Sequence, residues 1–272
     1  MGSKRSLSVS QYKTYRDCPQ QWYLIKVAGA WQRPAAWFVQ GSAFHAAAEA
    51  REKSGRTLTL EEMEDVYKKS FVEEVKKYTH GTEEKKFADA TPNLSWWFAS
   101  GPYGGEADLE RRFGIGLAQV AKYPAWYEKH PEEVIWTAPD GTPGVELPFD
   151  IDLDGVRVRG YIDALIMNTK TGRKTVRDNK TGKSPGDEFQ LEVYKIAEEI
   201  QHGEEFTHGD YWMAVSGKPT IPYDLRETTR ERITEQFHWL AEQIEAERFD
   251  PDPEPSKCNF CGVASACPIF LH

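Results

Sequence analysis

The chain of 272 residues has no apolar run approaching the roughly 18 residues needed to cross a bilayer. Its opening, MGSKRSLSVS, lacks the hydrophobic stretch of a secretory signal. These absences argue against a membrane partner and point to a cytoplasmic chain. A basic excess is also missing: 34 Lys and Arg stand against 43 Asp and Glu, a formal charge of -9. Proteins that coat nucleic acid electrostatically are basic, so this chain could hold nucleic acid only along a local cationic channel. Cysteine is scarce, with four residues, and in a reducing compartment so few thiols suit metal ligation better than disulfides. What the chain does have is 39% hydrophobic and 12% aromatic residues, enough for a substantial core.

Its chemistry is concentrated between Val156 and Tyr194. Val156 to Asn168 is rich in apolar and β-branched residues, Lys174 to Lys180 more weakly so, and Gly172 permits a positive φ in the TKTGR between them. This predicts an antiparallel hairpin. A turn centred on Lys170 and Thr171 sets Asp163 opposite Asp178; one centred on Thr171 and Gly172 sets Asp163 opposite Lys180. Either register puts Asp163, Asp178 and Lys180 on one face, because side chains repeat every two residues along a strand. Two carboxylates so close repel unless a cation lies between them, and hard oxygen ligands suit Mg²⁺ or Mn²⁺. Lys180 adds a positive charge able to orient water or steady a phosphate. A helix beginning near Asp187 carries Gln190 and Tyr194 one turn apart on one face, with Phe189, Val193, Ile196 and Ile200 available as core.

The ordered set Gly160-x-x-Asp163, Asp178-x-Lys180-Thr181-Gly182 and Gln190-x-x-x-Tyr194 resembles the PD-(D/E)XK nuclease superfamily in its RecB-like branch. The resemblance implies an α/β (α+β) fold: a central mixed sheet with an antiparallel active-site hairpin, flanked by helices in a restriction-endonuclease-like core. It further implies a catalytic set of Asp163, Asp178, Lys180, Gln190 and Tyr194. Gly41 to His45 lies in a helix-forming stretch; a lone histidine there is ordinarily packed or solvated, but it fits the upstream Gly-x-x-x-His of RecB-like nucleases. On that likeness His45, Asp163, Asp178 and the carbonyl of Asn179 are metal ligands.

Elsewhere the signals are structural. SVSQYKTYRDCPQQWYLIKV reads as a short helix capped by Ser8 or Ser10 and interrupted near Cys18-Pro19. Thr59-x-x-Glu62 and Thr228-x-x-Glu231 read as capping boxes, the first opening a helix to about Tyr78, the second a helix through Arg248. The region 80–133 reads as an insertion or helical subregion in which helix resumes at Phe113, and its Trp96 and Trp97 could stack on bases or be buried. Val134 to Leu153 reads as strand, turn and strand, followed by an Asp154-Gly155 hairpin turn. Glu146 precedes the Asp163 strand and could be a further acid near the metal, but with Asp150, Asp152 and Asp154 beside it a solvated acidic edge is the blander account, and it is left outside the core site.

Cys258, Cys261 and Cys267 cluster at the C-terminus, with Cys18 far upstream. One plus three cysteines suggest four thiolates on one metal centre, and the distant ligand favours a cluster over a zinc ribbon built from two close pairs. The spacing resembles the iron-sulfur RecB-like nucleases, among them the CRISPR adaptation exonucleases and the AddB nuclease domain. That likeness implies a [4Fe-4S] cluster joining residues 1–30 to 250–272, with Zn²⁺ the alternative. The expectation is a single nuclease domain over 1–272: a metal-dependent DNA exonuclease working on single strands or single-stranded ends in recombination, repair or phage DNA processing, with a helicase, integrase or recombinase as partner. The competing class is a non-catalytic adaptor that binds DNA ends on the same fold.

Overall fold

Alternating burial along Val145–Leu153, β2, is what a strand with one solvated face produces. The Asp154-Gly155 turn that follows has φ of +52 and +94, the double positive φ that matches strand twist in a two-residue hairpin. The computed structural model describes residues 6–80 and 94–270, and these strands belong to a seven-stranded mixed sheet. Strand β3 (Val156–Asn168) pairs antiparallel with β4 (Lys174–Lys180), Ala164 lying opposite Arg177 and Met167 opposite Lys174. One step further along this register sets Asp163 against Asp178, so the turn is the one centred on Lys170 and Thr171. Strand β5 (His208–Met213) runs parallel to β4 and makes it a buried central strand. Short strands β6 (Lys218–Pro219) and β7 (Tyr223–Asp224) pair with β5. Strand β1 (Glu133–Ile135) pairs with the far end of β3 and not with β2, so the two strands read within 134–153 follow one another along a single edge.

Helices cover both faces. On one, α1 (Val9–Asp17), α6 (Glu188–His202) and α7 (Arg230–Glu245) bury Tyr12, Val193, Ile196 and Phe237 against Ile162 and Tyr211. On the other, α3 (Ala36–Lys53), α4 (Leu60–His80) and α5 (Gly105–Lys129) pack Phe44, Met63 and Tyr67 toward Trp212. Ser8 caps α1, and Cys18 is the joint between α1 and α2 (Pro19–Lys26). The first capping box forms: Thr59 N–H donates to Glu62 at 2.7 Å and Glu62 N–H to Thr59 Oγ1 at 3.3 Å.

Two boundaries differ from the sequence reading. The second cap is Thr229, whose hydroxyl accepts from Arg232 N–H; Thr228 is buried instead, its hydroxyl donating to Glu192 and its carbonyl accepting from Lys195. Helix α5 starts at Gly105 and not Phe113, because Gly104 serves as its N-cap and buried Asp108 takes Ser100 Oγ and Arg111 as partners. The two tryptophans divide, Trp97 buried and Trp96 exposed. Part of the 80–133 subregion, 81–93, lies outside the described residues.

Candidate active site

Asp163 sits where the regular β3–β4 ladder ends. Its Oδ2 accepts the N–H of Asn179 at 2.8 Å, so a carboxylate takes an amide in the neighbouring strand. Buried apolar residues of β3 run Val158, Ile162, then Leu165, a one-residue slip in alternation that turns Asp163 toward the face of Leu165. Directly across, between the Val145–Ala164 and Leu147–Ile162 pairs, stands Glu146 with φ +45.

That irregularity brings Glu146 into the site. His45 Nδ1, from α3, lies 3.3 Å from Asp163 Oδ2 and 3.7 Å from Glu146 Oε1. One donor atom from each of His45, Glu146 and Asp163 lies within 4.8 Å of the other two. An imidazole and two carboxylates this compact fit a single divalent cation. Asp163 and Glu146 lift His45 to about 9 although burial pulls it down. Burial and Glu146 hold the Asp163 carboxyl above its ordinary range.

Asp178 faces the other half of the site. Its Oδ2 pairs with Lys180 Nζ at 2.6 Å; its Oδ1 accepts from Gln190 Nε2 and, at 3.5 Å, from the Tyr194 hydroxyl. Gln190 Nε2 also donates to Tyr194 Oη at 2.8 Å, while its Oε1 accepts from Lys180 at 3.5 Å and from Lys13 at 3.3 Å. Burial first, and then Asp163, raise Asp178 to about 6. The same influences, burial, Asp178 and Asp163, push Tyr194 well up.

The structure therefore gathers His45, Asp163, Asp178, Lys180, Gln190 and Tyr194, divided between a His45–Asp163–Glu146 group and an Asp178–Lys180–Gln190–Tyr194 group. Of the four ligands expected, His45 and Asp163 share the compact group. Asp178 stands beside it, and Asn179 enters through its N–H. Two residues come in addition. Glu146 was within reach of the sequence: counting back from the Asp154-Gly155 turn pairs it with Asp163. Lys13, bridging Gln190 and Asp187 (2.9 Å), had no local signal and is revealed by packing alone.

The motif glycines have unequal steric reasons. A Cβ on Gly160 would lie 2.6 Å from the Phe149 ring, whereas one on Gly41 would meet Thr181 Oγ1 at an ordinary 3.5 Å. Gly41 is thus not demanded by space.

Cys18, Cys258, Cys261 and Cys267 line one pocket where α2 meets the C-terminal segment. Burial raises the Cys261 thiol, with Cys18, Cys267 and Cys258 adding to the effect. Among the described residues these four sulfurs do not form a group with ligand atoms all within 4.8 Å of one another.

The profile of the PD-(D/E)XK nuclease superfamily matches residues 6–268. The gene 69 protein of Mycobacterium phage D29 is 48% identical over 271 residues, covering 97% of this chain and 96% of that protein. The gene 69 protein of Mycobacterium phage L5 is 44% identical over 290 residues, with the same two coverages of 97% and 96%. A crystal structure of a candidate exonuclease from Eubacterium rectale aligns at TM-score 0.53 and 13% identity, over 95% of this chain and 87% of its own, a likeness of fold. The profile spans nearly every residue that builds the sheet, the opposed acids and the cysteine pocket, and the chain belongs to the PD-(D/E)XK nuclease superfamily.

Proposed function

We propose that this protein is a metal-dependent deoxyribonuclease, an exonuclease that hydrolyses phosphodiester bonds at DNA ends. The observation that carries the reading is Asp163 opposed to Asp178, with Lys180 paired to one acid and His45 and Glu146 gathered at the other. His45, Asp163 and Glu146 would hold Mg²⁺ or Mn²⁺, with Asp178 and the Asn179 carbonyl as further ligands. The ion supplies Lewis-acid polarisation of the phosphate and a more acidic water. Lys180 places its ammonium beside the reacting phosphate, where it offsets developing negative charge. Gln190 holds Lys180 and Asp178 in register through its amide, and Tyr194 buttresses that amide from below. The phage origin of the relatives supports a role in phage DNA processing, recombination or repair, and the exonuclease description of the Eubacterium rectale protein supports action at ends.

Residues 1–272 act as one nuclease domain on this reading, with 1–30 and 250–272 forming a cluster region. Cys18, Cys258, Cys261 and Cys267 hold a [4Fe-4S] cluster whose role is structural. One cysteine far upstream joined to three at the other end supports iron-sulfur over a zinc ribbon built from two close pairs.

End-labelled single- and double-stranded DNA in Mn²⁺ tests the activity, and 5′ against 3′ labels give its polarity. Lys180→Ala should lower turnover by at least about a hundredfold with unchanged thermal unfolding. Cleavage at the wild-type rate would remove Lys180 from the mechanism. Retained binding with no product on any substrate would replace the enzyme by an end-binding adaptor serving a helicase, integrase or recombinase.

A further inference from the structure

Helix α3 carries His45 into the metal group, and the same face of the helix continues away from it. Phe38 and His45 are seven residues apart, two turns on one side, which is about 10 Å along the axis. Phe38 is 47% exposed, an unusual position for a phenylalanine that has a core beneath it.

From Phe38 a string of rings leads outward. Its centroid lies 5.6 Å from Trp37, Trp37 lies 6.0 Å from Phe98, and Phe98 lies 6.3 Å from Phe260. Phe260 ends the string at 66% exposure. The loop that bears it is held in place, because Arg33 N–H donates to the Gly262 carbonyl at 2.7 Å. Two guanidinium groups cover the inner rings, Arg33 at 4.5 Å over Phe98 and Arg112 at 5.7 Å over Trp37. Arg112 shares Asp108 with Arg111, whereas Arg33 donates to the carbonyls of Trp96 and Trp97 and has no carboxylate partner among the described residues. A cationic aromatic strip on a chain of net charge -9 is the local channel that a nucleic-acid ligand needs.

We propose that this strip is the binding track for the single-stranded end of the substrate, bases stacking on Phe38 and Phe260 while Arg33 meets the backbone and Arg112, held by Gln40, Ser100 and Asp108, props the Trp37 ring. The inference deepens the nuclease reading by naming its substrate class: a strand lying along α3 is led toward His45. Stacking on aromatic rings beside arginine is how single strands are held without sequence readout. A duplex keeps its bases stacked on one another and cannot use the rings.

The test is binding of a fluorescein-labelled oligothymidylate in EDTA, followed by anisotropy, so that hydrolysis plays no part. Phe38→Ala and Phe260→Ala should each weaken binding about 5- to 150-fold, with melting temperatures close to wild type because both rings are exposed. Phe38→Trp should restore it. Wild type should also prefer the oligomer to an abasic strand of equal length and charge, and the alanine variants should lose that preference. Equal binding by wild type and both variants, or no discrimination against the abasic strand, would overturn the track. So would unchanged DNA binding together with a monomer-to-dimer difference in sedimentation, which would make the rings a self-association surface. A protein that shows the stacking signature yet never cleaves sinks the nuclease reading and leaves the track in place.

Discussion

Glu146 is the residue whose role changes most on folding. Its φ of +45 is sparsely populated for a side chain with a Cβ, and such strain persists where the surroundings impose it. Here it is imposed beside His45 and Asp163. Glu146→Gln should weaken Mn²⁺ binding at least about tenfold by titration calorimetry. Because His45 is lifted to about 9 in the absence of metal, it carries a proton at neutral pH that a cation must displace. Uptake should therefore release protons, and affinity should climb from about pH 6.5 toward 9, measurable as a dependence of binding heat on buffer ionisation. The sign for stability runs the same way: a raised histidine stabilises the metal-free fold most below 6.5 and loses that contribution as pH rises through 9. Binding heats identical in all buffers would show that His45 is already neutral. At this scale the two acids, Lys180, Gln190 and Tyr194 were legible because a strand and a helix turn fix their spacing. Lys13 was not, since its partner Gln190 is 177 positions away.

Among elements, the β3–β4 hairpin was the most readable and its surroundings the least. Turn chemistry narrowed the register to two choices, and pairing chose the one that opposes Asp163 to Asp178. The cap at Thr228 was misread by one position because two threonines stand in line, and burial against Glu192 decides between them. Glycines 104 and 105 look like breakers in a chain read locally, yet they begin α5 once Asp108 is anchored. Gly160 shows how a motif position can be governed by packing. Its cross-strand partner Phe149 lies over it and also edges onto Tyr194, with centroids 6.1 Å apart. Gly160→Ala should cost about 1–3 kcal/mol in chemical denaturation, the range for overpacking, and should lower activity by displacing Tyr194. Wild-type stability in that variant would mean that the ring gives way freely.

For the whole molecule, Cys18 from the joint before α2 meets the segment from Pro251 to Phe270 at the cysteine pocket. A cluster there closes a loop of nearly the entire sequence, and closing a long loop restrains the unfolded chain strongly. Anaerobically purified protein should be brown with iron and acid-labile sulfide in near-equal amounts. Cys18→Ala should lose the colour and unfold earlier while still taking up Mn²⁺ at His45. Colourless protein with stoichiometric zinc would replace the cluster, and four titratable thiols with unchanged stability would remove any structural metal. The hairpin and the helix after it were legible locally, but the fold class as a whole and the meeting of Cys18 with Cys267 were inferred from likeness, because no local pattern spans those distances.

The arginine-bearing ring strip has a consequence for how the protein meets its substrate. With nine excess negative charges the molecule as a whole repels DNA, and that repulsion reaches about a Debye length, roughly 10 Å at 0.1 M salt. On the proposed track, Arg33 offers a local positive charge against that repulsion. If the track holds, collisions would be sorted by orientation before any contact forms: a strand end arriving at the strip would be admitted, the flank of a duplex turned away, and added salt would blur the sorting.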